Sequence, residues 1–260
     1  MNLKTISTTL DWSVFEQAIA AHPDICIWWR DDDVAYEGWW HPINRLTIYR
    51  RLQGMLDLLA QYAIPAFLAV VPAKFLECSF PLVQLLDRYN IPLALHGLRH
   101  KNRLPQGTTK CEFPPEYATG KECAQIIECY KIFSARYGSR LLPVFVPPFN
   151  TMADSLAKCL EQHGLIISAS NSLPYIPESC CPYHTDYDFM DWKKRKLRSY
   201  TQILTDITTL VRTGRCTIGI NSHHKLVTAR DRIFFAKLFS IIAKNQRREW
   251  PFATLRDAIV

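Results

Sequence analysis

The sequence predicts an α/β fold of the (β/α) barrel type, incomplete or distorted, with about seven parallel strands in one domain spanning 1–260. Three observations predict it. Short apolar runs of strand length alternate with longer segments of helical hydrophobic period, the pattern of a parallel sheet covered by helices. No Gly-rich phosphate loop follows any of these runs, which argues against a nucleotide-binding doubly wound sheet. The conspicuous polar residues fall directly after the apolar runs, at the strand ends where such a barrel builds its site.

Each element follows from its local pattern. Ser13 to Ala21 reads as a short helix with Ser13 and Glu16 spaced as a capping box, ended by His22-Pro23. Ile25 to Arg30 is the first strand, and the acidic stretch after it opens a loop to Pro42 that holds Tyr36, Gly38, Trp39, Trp40 and His41. Those rings either line a sugar-binding cleft or cap the core. Asn44 to Tyr62 has helical spacing, Pro65 to Val71 is a buried strand and Phe80 to Tyr89 a helix. Ile91 to His96 is a third strand, followed by a long polar loop and a helix from Ala118 to Tyr137. Pro143 to Val146 is a fourth strand, Met152 to His163 a helix stopped by Gly164, and Leu165 to Ser168 a fifth strand. Asn171 to Trp192 is irregular, with a short sixth strand near Tyr183 to Asp188. Tyr200 to Thr213 is helical, Cys216 to Ser222 a seventh strand, Ala229 to Lys244 a helix and Trp250 to Thr254 a final short strand.

The composition, with 48% hydrophobic and 21% charged residues, supplies enough apolar surface for a full core. The formal charge of +7 is modest, and part of it lies in Lys193-Lys194-Arg195-Lys196-Leu197-Arg198, which reads first as an exposed basic segment. Neither a nucleic-acid nor a membrane partner is expected, and no apolar run is long enough to span a bilayer. The nine cysteines form no CxxC pair; Cys26 and Cys216 lie in apolar runs and read as small core residues. Met1 to Leu10 lacks the apolar core of a signal peptide, so the chain reads as reduced and cytoplasmic, a monomer or homodimer.

Asp31-Asp32-Asp33 directly follows the first strand. Adjacent carboxylates repel, so they are tolerated in water, against cations or on a metal. A solvated turn is the plain alternative. His96-Gly97-Leu98-Arg99-His100 follows the third strand, Pro147-Pro148-Phe149-Asn150 the fourth and His223-His224 the seventh. One carboxylate and two histidines suit Zn²⁺ or a similar divalent ion and leave positions open for water and substrate. His96 and His100 are four apart, so on a helical turn both rings reach one ion, and Gly97 lets the chain turn out of the strand.

Taken in order, these stretches resemble the motifs of the polysaccharide deacetylases of the NodB-homology type, carbohydrate esterase family 4, in a divergent intracellular branch. The family's Thr-Phe-Asp-Asp-Gly falls on Arg30 to Val34, which implies Asp32 as catalytic base and Asp33 as a metal ligand. Its spaced pair of histidines falls on His96 and His100 as the other ligands. Arg-x-Pro-Tyr-Gly falls on Val146-Pro147-Pro148-Phe149-Asn150, with Arg30 or Arg99 the candidate to replace the arginine at Val146. Asp-x-x-Asp-Trp is met by Asp188-Phe189-Met190-Asp191-Trp192, and the last motif by Ile218 to His223.

The resemblance implies a metal-dependent hydrolase, with one divalent ion and Zn²⁺ first among the choices, removing an N-acetyl or related acyl group from a carbohydrate. His223, with His224 as the alternative, is then the acid that protonates the leaving amine, and Asp188 or Asp191 orients it. Pro148, Phe149, Asn150 and Trp192 line the substrate, and a backbone N–H near Phe149 faces the oxyanion. Two other functions stand beside this one: hydrolysis of a small non-sugar amide or ureide on the same ligands, and a non-catalytic barrel that binds a glycan or a protein.

Overall fold

The computed structural model of the chain describes residues 10–35, 42–76, 80–170 and 184–245. The expected aromatic loop at 36–41 and the expected final strand at 250–254 lie outside the described residues. Seven strands share one hydrogen-bonded sheet, and the fold class is the expected incomplete (β/α) barrel. In chain order they are β1 (Cys26–Val34), β2 (Ala66–Val70), β3 (Leu93–His96), β4 (Leu141–Val146), β5 (Ile166–Ile167), β6 (Tyr187–Asp188) and β9 (Thr217–Ser222). Their order in the sheet is β5-β4-β3-β2-β1-β9-β6. Beyond its two end strands a single parallel bridge, Ser170 with Thr185, joins the chain after β5 to the chain before β6.

The strands alternate with helices α1 (Ser13–Ala20), α2 (Pro42–Gln61), α3 (Pro72–Leu76), α4 (Phe80–Tyr89), α5 (Gly120–Tyr137), α6 (Asp154–Gln162), α7 (Tyr200–Arg212) and α8 (Ala229–Asn245). The short α3 was not expected. One expected cap changed hands. Ser13 is the first helical residue of α1, and Asp11 rather than Ser13 does the capping, accepting the Ser13 N–H at 3.0 Å. Thr119 caps α5 by accepting the Lys121 N–H, and Gly138, at φ 55, follows its last turn.

The chain falls into two compact units. One holds residues 31–38 and 67–185. In it β2, β3 and β4 pair in parallel, with Val70 opposite Leu95 and His96 opposite Val146. Every residue of β2 and β3 is buried, as the uninterrupted apolar runs required. Phe75 packs on Phe133 of α5 with ring centroids 5.4 Å apart. Arg140 anchors the entry to β4 by donating to the Leu86 carbonyl at 2.7 Å and to Asp87 at 3.0 Å.

The other unit holds residues 1–30, 39–66 and 186–260. Trp29 is its centre: it packs on Phe189, Phe235 and Phe239 at 4.8, 5.5 and 4.9 Å, and its indole N–H donates to Ser222 Oγ at 2.6 Å. A two-residue antiparallel hairpin, β7 (Met190–Asp191) with β8 (Lys196–Leu197), was not anticipated. Its turn carries the basic run, which is exposed as expected from Lys193 to Lys196.

Three sequence readings need correction. The first strand does not stop at Arg30 but continues to Val34, so the acidic stretch is strand rather than solvated turn. Cys123 in α5 and Cys159 in α6 form a disulfide, so the fully reduced reading fails for that pair. Cys26 is buried as expected, its thiol pushed up to about 11 by that burial, but Cys216 is exposed because β9 starts one residue after it. No helix among the described residues is long and apolar enough to cross a membrane.

The Trp29 cluster yields the first prediction. Trp29→Ala removes one of that unit's two fully buried tryptophans among the described residues, together with its bond to Ser222. It is expected to cost about 3–5 kcal/mol of folding stability, read from urea denaturation.

Candidate metal centre

Within the unit of residues 31–38 and 67–185, three side chains converge. Asp33 Oδ1 lies 3.2 Å from His96 Nε2 and 2.9 Å from His100 Nε2. The two rings are 4.9 Å apart between centroids. Each ligand arrives by a different device. His96 is the last residue of β3 and needs only the strand to aim it. Its Nδ1 lies 3.1 Å from the Val146 carbonyl, which fixes Nδ1 as the donor and makes Nε2, turned to Asp33, the nitrogen that would ligate. Asp33 sits at φ 64, in the left-handed region, and so departs from the alternation of its own strand. His100, also left-handed at φ 54, is carried back by the loop that leaves β3 through Gly97.

The donor set fits a divalent ion. Bonds of about 2.0–2.1 Å to nitrogen and oxygen put tetrahedral ligand atoms about 3.3 Å apart. The three ligand atoms all lie within 4.8 Å of one another, and the two oxygen–nitrogen separations above are already close to that spacing. A carboxylate with two imidazoles is a hard-to-borderline set suited to zinc-like cations. Burial raises the Asp33 carboxyl, but the hydrogen bonds and charges of His100 and His96 outweigh it and hold the group well below the usual carboxylate range. One other group among the described residues has ligand spacing, Cys123, Cys159 and His163, but its two sulfurs are bonded to each other.

Phe149 borders this cluster, its ring 4.6 Å from that of His100, and Lys110 Nζ stands 5.7 Å over the same ring. Phe149 and Asn150 are consecutive left-handed residues, at φ 60 and 54, in the turn after β4. Pro148 is buried, and Asn150 commits its side-chain oxygen to the Ser170 N–H at 3.0 Å, tying the turn to the chain after β5. Asp32, named as the base, is 3% exposed in β1. Arg99 is exposed, whereas Arg30 is fully buried two residues before Asp32.

Glu112 is the residue that sequence reasoning missed. It is fully buried and accepts three consecutive N–H groups, from Leu98 at 3.3 Å, Arg99 at 2.8 Å and His100 at 3.2 Å. Its partners are backbone amides, which leave no trace in sequence. The available signal was weaker: a lone acid set between Cys111 and Phe113, both buried.

The last two motifs meet within the other unit. Trp192 is half exposed, its ring 4.5 Å from that of His223 and nearly perpendicular to it. The Trp192 indole N–H donates to Asp188 Oδ2 at 2.8 Å, and Asp188 Oδ1 accepts the Met190 N–H at 2.8 Å. Asp191, named as a possible orienter of the histidine, instead accepts the Lys194 N–H at 3.2 Å and pairs with its ammonium at 3.3 Å. His223 is 7% exposed, and its Nδ1 makes no hydrogen bond among the described residues. His224 is 1% exposed and opens a 3-10 turn.

The fold and this cluster together define a class: an incomplete (β/α) barrel carrying an Asp-His-His group with the spacing of a cation site. Among solved structures the chain is similar to a putative polysaccharide deacetylase from Mycobacterium smegmatis, with 11% identity over 91% of this chain and 90% of that one and a TM-score of 0.57. It is also similar to the polysaccharide deacetylase Bc1974 from Bacillus cereus, with 14% identity over 87% and 91% and a TM-score of 0.54. A third similar structure is a mutant of BA3943, a CE4 family pseudoenzyme, with 12% identity over 87% of this chain and 66% of that one and a TM-score of 0.51. No sequence family and no curated protein matches the chain. At such identities the likeness establishes the fold.

Gly97 gives the second prediction. At φ 61, a Cβ there would stand 2.2 Å from Glu112 Oε2 and 2.4 Å from Pro148 Cγ. Gly97→Ala adds this clash to a left-handed penalty of about 1–2 kcal/mol, so the stability loss should exceed that figure. Urea unfolding, with isothermal titration of Zn²⁺, checks that it also weakens the ion site.

Proposed function

We propose that the protein is a metal-dependent hydrolase that removes an N-acetyl or related acyl group from a carbohydrate. The observation that carries this is the convergence of Asp33, His96 and His100 on a deacetylase fold. Asp33 Oδ1, His96 Nε2 and His100 Nε2 would hold one divalent ion, Zn²⁺ first. When bound, the ion supplies Lewis acidity toward water and the acyl oxygen.

The chain's own residues take the remaining roles. Asp32 accepts a proton from the attacking water, and its burial keeps that carboxylate from competing solvent. Arg30 is buried in the same strand two residues away, so strand alternation gives the two side chains one face, and Arg30 takes the place of the arginine missing at Val146. Arg99, exposed, is the weaker choice. His223 donates a proton to the departing amine, with His224, turned into the 3-10 turn, the second choice. Trp192 and Phe149 supply aromatic surface for the sugar, Pro148 and Asn150 shape the turn beside it, and an amide near Phe149 faces the oxyanion.

A non-catalytic glycan-binding barrel is the second reading. It draws on the similarity to a pseudoenzyme and on Val146 standing where the family has arginine.

The test pairs metal content with acetate release from a panel of N-acetylated glycans and small amides. His96→Ala is expected to lose the ion and turnover together, while Asp32→Asn keeps the ion and loses about 10²–10⁴-fold in rate. Full occupancy and turnover in His96→Ala would refute the ligand assignment. A protein that binds the ion but releases acetate from nothing on the panel supports the binding barrel.

A further inference from the structure

We propose that Glu112 is a positioning residue for the ion site: its buried carboxylate folds Leu98 to His100 so that His100 faces Asp33 before any ion arrives. This rests on the metal-site reading above and adds to it what builds the site.

The loop is shaped by an anion of the chain itself. Three successive amides converge on the two oxygens of Glu112, Leu98 and His100 on Oε2 and Arg99 on Oε1. Such a run of N–H groups around one acceptor is an anion nest. Two left-handed residues bracket it, Gly97 at φ 61 and His100 at φ 54, a conformation the histidine does not adopt without compensation. The carboxylate also fills the space a side chain at position 97 would need.

Glu112 is itself fixed from outside the ion site. The Cys111 N–H donates to Asn102 Oδ1 at 2.9 Å, the Arg103 N–H to the Cys111 carbonyl at 2.9 Å, and the Ala153 N–H to the Phe113 carbonyl at 3.0 Å. The carboxylate is therefore in place whether or not His100 ligates anything, and the order of dependence runs from Glu112 to the loop to His100. A glutamine in its position has one acceptor oxygen and turns an NH₂ toward amides that already donate, so it cannot satisfy all three.

The experiment uses the full chain. Glu112→Gln is expected to weaken Co²⁺ and Zn²⁺ binding about 10–100-fold, the range seen for groups that orient ligands, and to alter the visible absorption of the Co²⁺ form. A core variant with a comparable loss of thermal stability, Phe133→Leu, is expected to keep both the affinity and the spectrum of the wild type, which a merely structural role for Glu112 would not separate. In the ion-free wild type, the amides of Leu98, Arg99 and His100 are expected to be protected from hydrogen exchange. Unchanged ion affinity in Glu112→Gln overturns the proposal, as do amides that become protected only when the ion is added. A wild type that takes up no divalent ion removes the metal-site reading and this role with it, an outcome distinct from both.

Discussion

The structure depends on how it manages buried negative charge at the end of β1. Asp31 and Asp32 are 1% and 3% exposed, and Asp33 is half-buried beside them. Carboxylates taken out of water demand partners, and adjacent ones demand different partners. The left-handed turn at Asp33 answers this by rotating one carboxylate out of the strand's alternation and onto two imidazoles. His96 can meet it because β3 and β4 are in a register that sets its other ring nitrogen against the Val146 carbonyl. His100 can meet it because Gly97, without a Cβ, lets the loop close over Glu112.

The alternation of buried strands with helices was legible in the sequence because burial on both faces writes itself as uninterrupted apolar runs, as in Ala66–Val70 and Leu93–His96. His96 and His100 stood out because they are chemically distinctive and follow such a run, whereas the choice of Asp33 among three adjacent aspartates came from the family resemblance. The continuation of β1 through three aspartates was not, since like charges normally signal solvent and only tertiary partners override that. The same limit hid the Cys123–Cys159 disulfide, whose partners are 36 residues apart on two different helices. It also left the acid of the fourth motif open between Asp188 and Asp191. Asp191 and Asp188 are equivalent in sequence, but the hairpin turn gives Asp191 the amide and ammonium of Lys194 and leaves Asp188 for the indole of Trp192.

The adjacent histidines show what the fold adds to a motif. Sequence treats His223 and His224 alike, yet they leave β9 in different ways: His223 is still extended, at φ −135, whereas His224 begins a 3-10 turn. The extended residue lies against Trp192 and keeps a ring nitrogen without a hydrogen bond among the described residues. Trp192 in turn is fixed through its N–H by Asp188, so it presents ring surface rather than a hydrogen-bond donor. A held aromatic ring with half its surface open matches the apolar face of a sugar better than it matches a small polar amide, because stacking needs area and rigidity more than donors. Within this unit, then, the hairpin, the indole and the extended histidine form one linked series.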